Sequence, residues 1–172
     1  MQRIVIIGCS GAGKSTLARE LGRRLDLPVT HLDALYWQPG WKPPQDIESF
    51  KESAREATRG TSWIIDGGFT TGTIEARLAS ADTVLVMDLP AWLCLWRAIA
   101  RVVKDHGKTR ADLAPGCFEQ FDPALWHDIL TWRRRKLPKL ERDLANHFKG
   151  RLIRLRTPAE VRTFLGSLAA PA

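Results

Sequence analysis

A chain of 172 residues with 44% apolar and 26% charged residues has the composition of one globular domain with its own core, which excludes a disordered or fibrous polypeptide. Three cysteines, Cys9, Cys94 and Cys117, are too few and too scattered for a disulfide scaffold or a four-ligand zinc site, and the longest apolar stretch, Leu89 to Trp96, falls far short of a membrane span. The formal charge of +7 is local: between Thr131 and Arg156 ten Lys or Arg face two acidic residues, so one C-terminal segment holds all of the excess and will attract polyanions, nucleotide phosphates and nucleic acid alike.

Taken in order, the β-branched run Arg3 to Ile7 reads as a buried strand, and Lys14 to Leu25 carries Leu17, Leu21 and Leu25 on one helical face until Pro28 intervenes. Val29 to Leu32 reads as a second strand and Tyr36 to Pro44 as a long loop. Asp46 caps a helix to about Arg59, with Gly60 as its stop. A third strand follows at Trp63 to Ile65, a short helix at Gly72 to Ala79, and a fourth strand at Thr83 to Met87. Pro90 opens a helix to about Lys104. His106 to Phe121 has no period of either kind, the mark of a lid or binding loop (about 106–122). Asp122-Pro123 starts a helix reaching about Phe148, kinked at Pro138. Leu152 to Leu155 forms the last strand, and Pro158 to Leu168 closes the chain as a helix. Alternating strands and helices imply parallel βαβ units in a three-layer α/β sandwich, a single domain over residues 1–172. The N-terminus carries no leader-like apolar core, so the expected location is cytoplasmic, with no membrane partner.

Gly8-Cys9-Ser10-Gly11-Ala12-Gly13-Lys14-Ser15 matches GxxxxGK[ST] between a buried strand and a helix. Glycines let the backbone N–H groups of Gly8, Ser10, Gly11, Ala12 and Gly13 turn inward around phosphates. Lys14 neutralises the outer phosphates, Ser15 can ligate magnesium, and Thr16 reaches the inner phosphate. Cys9, in the same loop, reads as a small packing side chain. The chain lacks a guanine-reading Asn/Thr-Lys-x-Asp, and neither Asp66 nor Asp88 is followed by a glutamate that could activate water. Transfer of phosphate to a small acceptor fits better than hydrolysis.

Three aspartates fall at the C-terminal ends of strands, the edge where open parallel sheets bind ligands. Asp66 in Trp63-Ile64-Ile65-Asp66-Gly67-Gly68 resembles a carboxylate backing magnesium, and Asp33 lies on the acceptor side; Asp88 reads as a cap. Arg97 and Arg101 share a helix face leading into the lid, and Arg110 lies inside it. Arg133 falls on the apolar stripe of Ile129, Leu137, Leu140 and Leu144, where it needs an anionic partner, while Arg134, Arg135 and Lys136 fan toward solvent. Tyr36, Trp37 and Trp41 either stack on an acceptor or pack their loop down.

These residues resemble the adenylate-kinase-like branch of P-loop kinases, and more closely bacterial proteins described as DNA topology modulation proteins, which carry that fold. The resemblance runs through Gly8 to Thr16, His31-Leu32-Asp33 with Tyr36-Trp37, Trp63 to Gly67, Asp88-Leu89-Pro90 with Arg97 and Arg101, Arg110 to Phe121, and Trp132 to Arg135. It implies a P-loop NTPase sandwich with a five-stranded parallel sheet in the order 2-3-1-4-5, ATP and Mg2+ as cofactors, and an arginine-bearing lid. By position, Arg97 resembles the arginine that stacks on adenine and Arg101 one that contacts phosphates. Lys14, Asp33, Arg101, Arg110 and Arg133 are the expected catalytic residues, with a nucleotide, nucleoside or other small molecule as acceptor. One departure stands out: nucleoside monophosphate kinases follow Asp-Gly with a proline and an arginine, whereas here Gly68-Phe69-Thr70 follows. The rival expectation is an ATP-switched regulator that binds DNA through the basic segment.

Overall fold

The computed structural model describes residues 1–68, 72–108 and 113–168. Five strands, β1 (Arg3–Gly8), β2 (Val29–His31), β3 (Trp63–Asp66), β4 (Thr83–Met87) and β5 (Arg151–Leu155), form one parallel sheet in the order β2-β3-β1-β4-β5. The expected order is therefore observed. The central strands are buried on both faces, which is why Ile4 to Ile7 and Val84 to Met87 run apolar without alternation.

Among the described residues eight helices connect and cover the strands: α1 (Lys14–Leu25), α2 (Leu32–Tyr36), α3 (Ile47–Glu56), α4 (Ile74–Ser80), α5 (Ala91–Asp105), α6 (Pro123–Arg135), α7 (Leu137–His147) and α8 (Pro158–Gly166). From β1 the chain winds toward β2, and from β3 it winds back past β1 to β4. Right-handed crossovers therefore put α1 and α4 on opposite faces, with α7 packed on α4. This reversal beside β1 opens a crevice at the C-terminal ends of the strands. The shared core includes Leu17 and Leu21 of α1, Leu78 of α4, Cys94 and Ala98 of α5, Ile129 and Trp132 of α6, and Leu140 and Leu144 of α7.

The caps expected at Asp46 and Asp122 are observed, and Thr157 adds one not expected from the sequence. Asp46 accepts from the Glu48 N–H, Asp122 from the Ala124 and Leu125 N–H groups, and Thr157 from the Glu160 N–H. Three elements differ from expectation. The helix capped by Asp46 ends at Glu56 with Ala57 as its C-cap, short of Arg59 and Gly60. The second strand ends at His31, and Leu32–Tyr36 coils into a single helical turn with Asp33 at its start, so Asp33 stands on a helix rather than at a strand end. The long C-terminal helix is two helices. Pro138 lacks an N–H and crowds the preceding turn, so α6 stops at Arg135 and α7 restarts at Leu137 with the proline in its first turn.

Candidate active site

The loop between β1 and α1 is shaped by glycines that nothing else could replace. A Cβ at Gly8 would collide with the Met87 carbonyl of the adjacent strand, and one at Gly11 with the Cys94 carbonyl of α5. Gly13 caps α1 in the left-handed region at φ +96°, so the chain turns and presents the first N–H groups of the helix, which no helical carbonyl can satisfy. Ser10 to Thr16 line a large cleft together with Gly8. The Lys14 ammonium donates to the Cys9 carbonyl at 3.1 Å, and Arg97 of α5 donates to the Ala12 carbonyl at 3.3 Å. Among the described residues neither cation has a carboxylate partner. Cys9 itself turns into the core. A hydrogen bond with Cys94, and then burial, push its thiol well above the ordinary range, so it is a neutral packing group.

Asp33 of α2, Trp37, Gly40, Trp41 and Gly68 line the same cleft. Trp37 stacks edge-on against both Tyr36 and Trp41, with centroids 4.9 and 5.6 Å apart, and Tyr36 meets Phe50 of α3 in the same way. The aromatic segment therefore both packs itself and lines the cleft. It is also stitched to the segment expected from the sequence to be a lid: Trp41 Nε1 donates to the Phe118 carbonyl at 2.7 Å, Gly40 N to the Gly116 carbonyl at 2.9 Å, and Cys117 Sγ to the Gln38 carbonyl at 3.2 Å.

The lid-side arginines are held differently. Arg101 lines the cleft, but its Nε lies 2.9 Å from Oε1 of Glu119, a lid carboxylate that is almost fully buried. Arg110 lies outside the described residues. Arg133 does find an anionic partner, donating from Nε to Asp88 Oδ1 at 2.8 Å and from Nη2 to the Asp88 carbonyl at 3.0 Å. It is not inward, however. Its side chain is 50% exposed and is not among the cleft-lining residues, because Trp132 and Ile129 take the buried face of α6. Lys136 is exposed, as expected, and from there it also lines the cleft and pairs with Asp128 at 2.7 Å.

Asp66 is buried at the end of β3, off the lining of the cleft. Its Oδ2 lies 3.0 Å from His31 Nδ1, while Oδ1 has no hydrogen-bond partner among the described residues. The basic group that answers it is Arg77 of α4, fully buried, which donates to the Gly67 carbonyl at 3.2 Å and to the Thr73 carbonyl and hydroxyl at 3.3 Å each. Burial lowers its pKa to about 10 against the opposing pull of Asp66. Arg77, Glu119, Asp88 and His31 are the residues that sequence reasoning missed as parts of the site. The signal for Arg77 was its place on the buried face of a short helix beside Ile74 and Leu78.

No family model and no curated protein matches the chain. Solved structures do. Shikimate kinase from Bacteroides thetaiotaomicron is 15% identical over 97% of this chain and 95% of its own, with a TM-score of 0.58. Shikimate kinase from Acinetobacter baumannii, in complex with shikimate, is 16% identical over 96% and 89%, with a TM-score of 0.59. A sugar kinase from Janibacter is 18% identical over 96% and 93%, with a TM-score of 0.50. At these identities what is shared is the fold, that of P-loop kinases, along almost the whole chain.

Proposed function

We propose that the protein is an ATP- and magnesium-dependent kinase that phosphorylates a hydroxyl of a small molecule. The observation that carries this reading is the arrangement within the cleft. Among the described residues Lys14 and Arg97 are bound to neutral backbone carbonyls, and a carboxylate with two indoles, Asp33, Trp37 and Trp41, lines the same cleft. For Lys14, exchanging a carbonyl for a phosphate oxygen strengthens its hydrogen bonds and costs no ion pair, and Arg97 can leave its carbonyl for a ligand on the same terms. The loop N–H groups and the N-terminus of α1 would hold the β- and γ-phosphates. Arg97, with Pro158 and Val161 of α8 on the same cleft, would take the base.

Magnesium keeps most of its shell as water and phosphate oxygen, so the donor set it needs from the chain is small. Ser15, beside Lys14 in the cleft wall, fits that need and would hold the ion, which supplies charge neutralisation at the transferring phosphate. Asp66 is left to His31 and Arg77. Asp33 would accept from the acceptor hydroxyl and orient it toward the γ-phosphate, and the indoles would cover the acceptor's apolar face. Arg101 and Arg110 would neutralise developing charge when the lid closes, and Arg133 would anchor α6 to the end of β4.

The absence of an arginine after Asp66-Gly67 and the presence of Asp33 favour a neutral polyhydroxyl acceptor, a nucleoside or a sugar-like polyol, over a monophosphate. The DNA-regulator reading has no observation of its own: within the basic segment Arg133, Lys136 and Arg154 are already paired with Asp88, Asp128 and Glu141. The test is acceptor-dependent ATP consumption, followed by phosphorus NMR of the product, across nucleosides, polyols, cyclitols and nucleoside monophosphates. The expected result is a new phosphate ester on a neutral acceptor. No product from any class, together with tight and steeply salt-dependent DNA binding, would replace the kinase with the regulator.

A further inference from the structure

The outer face of α5 is apolar where a surface helix should be polar. Trp92 is 70% exposed, Trp96 64%, Ile99 36% and Val103 78%, and Ala100 beside them is exposed as well. At 100° per residue these five positions span one continuous strip, while Cys94, Ala98 and Val102 take the buried face and Arg97 and Arg101 reach the cleft. A helix that is apolar on both its inner and outer faces is one that something covers. The two indoles alone expose on the order of 300 Å², already the size of the largest apolar patch on an ordinary monomer.

The spacing says what covers it. Positions 92, 96, 99 and 103 repeat as four, three, four, the seam of a paired helix, and that spacing is the same read in either direction. A two-fold axis between residues 97 and 98 therefore lays the strip on itself antiparallel. Trp92 then meets Val103 of the second copy, and Trp96 meets Ile99, so that each large ring faces a smaller aliphatic group. Antiparallel helices also bring opposite dipole ends together. No charged side chain interrupts the strip; Lys104 lies at its edge. That is the composition of an interface centre, with tryptophan enriched and charge depleted. The ring area, the aliphatic residues and the flanks of α5 come within reach of the ~800 Å² per partner that a standard interface buries.

We propose that the outer face of α5 is an isologous dimer surface, with Trp92, Trp96, Ile99 and Val103 packing against the same residues of a second copy. None of these four residues is among those that line the cleft, so the pairing uses up none of the lining residues. The test is the mass of the full chain by sedimentation between 1 and about 100 μM, chosen to span weak interface affinities, for wild type, Trp92→Glu and Val103→Lys, alone and mixed. Both positions are so exposed that the fold tolerates the change, which unaltered circular dichroism and melting temperature verify. Wild type should reach twice the monomer mass, and each variant alone should dimerise at least thirtyfold more weakly, the scale of a lost hot spot. The mixture should recover a heterodimer, because Glu at 92 then faces Lys at 103 across the axis while the opposite contact keeps its Trp–Val pair. A wild-type monomer at every concentration overturns the proposal. So does a monomer whose Trp92 inserts instead into vesicles of anionic phospholipid, read by indole fluorescence. Loss of dimer in both variants without recovery in the mixture overturns the antiparallel register.

Discussion

Four cations in and around the cleft, Lys14, Arg97, Arg101 and Arg133, are held by two different means, and that difference sorts them by proposed role. On the phosphate-loop side, Lys14 and Arg97 rest on the carbonyls of Cys9 and Ala12. On the lid side, Arg101 is paired with Glu119, and behind the loop Arg133 is paired with Asp88. A cation on a carbonyl can move to a phosphate without leaving a charge behind. A cation on a carboxylate must strand its partner, a penalty that grows with burial, and Glu119 is almost fully buried. On the proposed function the first pair would bind nucleotide from the outset, whereas the second would set the position of the segment 106–122 and of α6 until a ligand provides a stronger anion.

The largest expected effect is on the carbonyl-bound side. Lys14→Ala should lower kcat by roughly 10²–10³-fold, the scale of one lost donor to a developing charge, with the melting temperature unchanged. Steady-state kinetics beside a thermal melt checks it; retained turnover would break the contrast between the two sides.

Next in size is the buried support. Arg77→Met fills the space but leaves Asp66 without its basic neighbour and the Gly67 carbonyl without its donor. A loss of about 3 kcal/mol in urea unfolding is expected, with the cleft geometry lost alongside.

A smaller effect sharpens the lid side. Glu119→Gln removes the charge that holds Arg101, so the segment 106–122 should be cut about tenfold faster in limited proteolysis, an opening cost lower by ~1.4 kcal/mol. Saturating ATP analogue and acceptor should restore protection. Equal cleavage in wild type and variant would show that the ion pair does not hold the lid.

The smallest effect lies far from the cleft. Burial alone would raise the Asp82 carboxyl, but hydrogen bonds from Thr83 and from the Gln2 and Arg3 N–H groups outweigh it and bring the pKa below 3.8. The unfolded chain therefore binds the proton first, so this contribution is full at neutral pH, begins to fade at the ordinary carboxylate value and is lost as pH falls through the lower folded one. Asp82→Asn should cost about 1 kcal/mol at pH 7, and the difference should shrink below about pH 4. A difference that widened in acid would reverse the sign of the argument.

How legible the molecule is from its sequence follows the same division. The phosphate loop is contiguous, so Gly8 to Ser15 can be read without knowing anything distant, and the strand order follows from the resemblance that loop anchors. The ion pairs join residues far apart in the chain, Arg133 to Asp88 and Arg101 to Glu119, and their pairing exists only once β4, α5, α6 and the lid are assembled. Arg133 sits on the helical stripe by period, yet Trp132 takes the buried place because a ring gains more from burial than a guanidinium does. The single turn Leu32–Tyr36 is too short to show a period, which hid the helical setting of Asp33.

The central claim is that the carbonyl-bound cations make the nucleotide site. Its most direct test is calorimetric titration of a magnesium-bound, non-hydrolysable ATP analogue into wild type, Lys14→Ala and Arg133→Ala. The account predicts binding by wild type, at least a hundredfold loss in Lys14→Ala (about 2.7 kcal/mol), and an affinity within about threefold of wild type in Arg133→Ala. Undiminished binding by Lys14→Ala, or a loss in Arg133→Ala as large as that in Lys14→Ala, would contradict it.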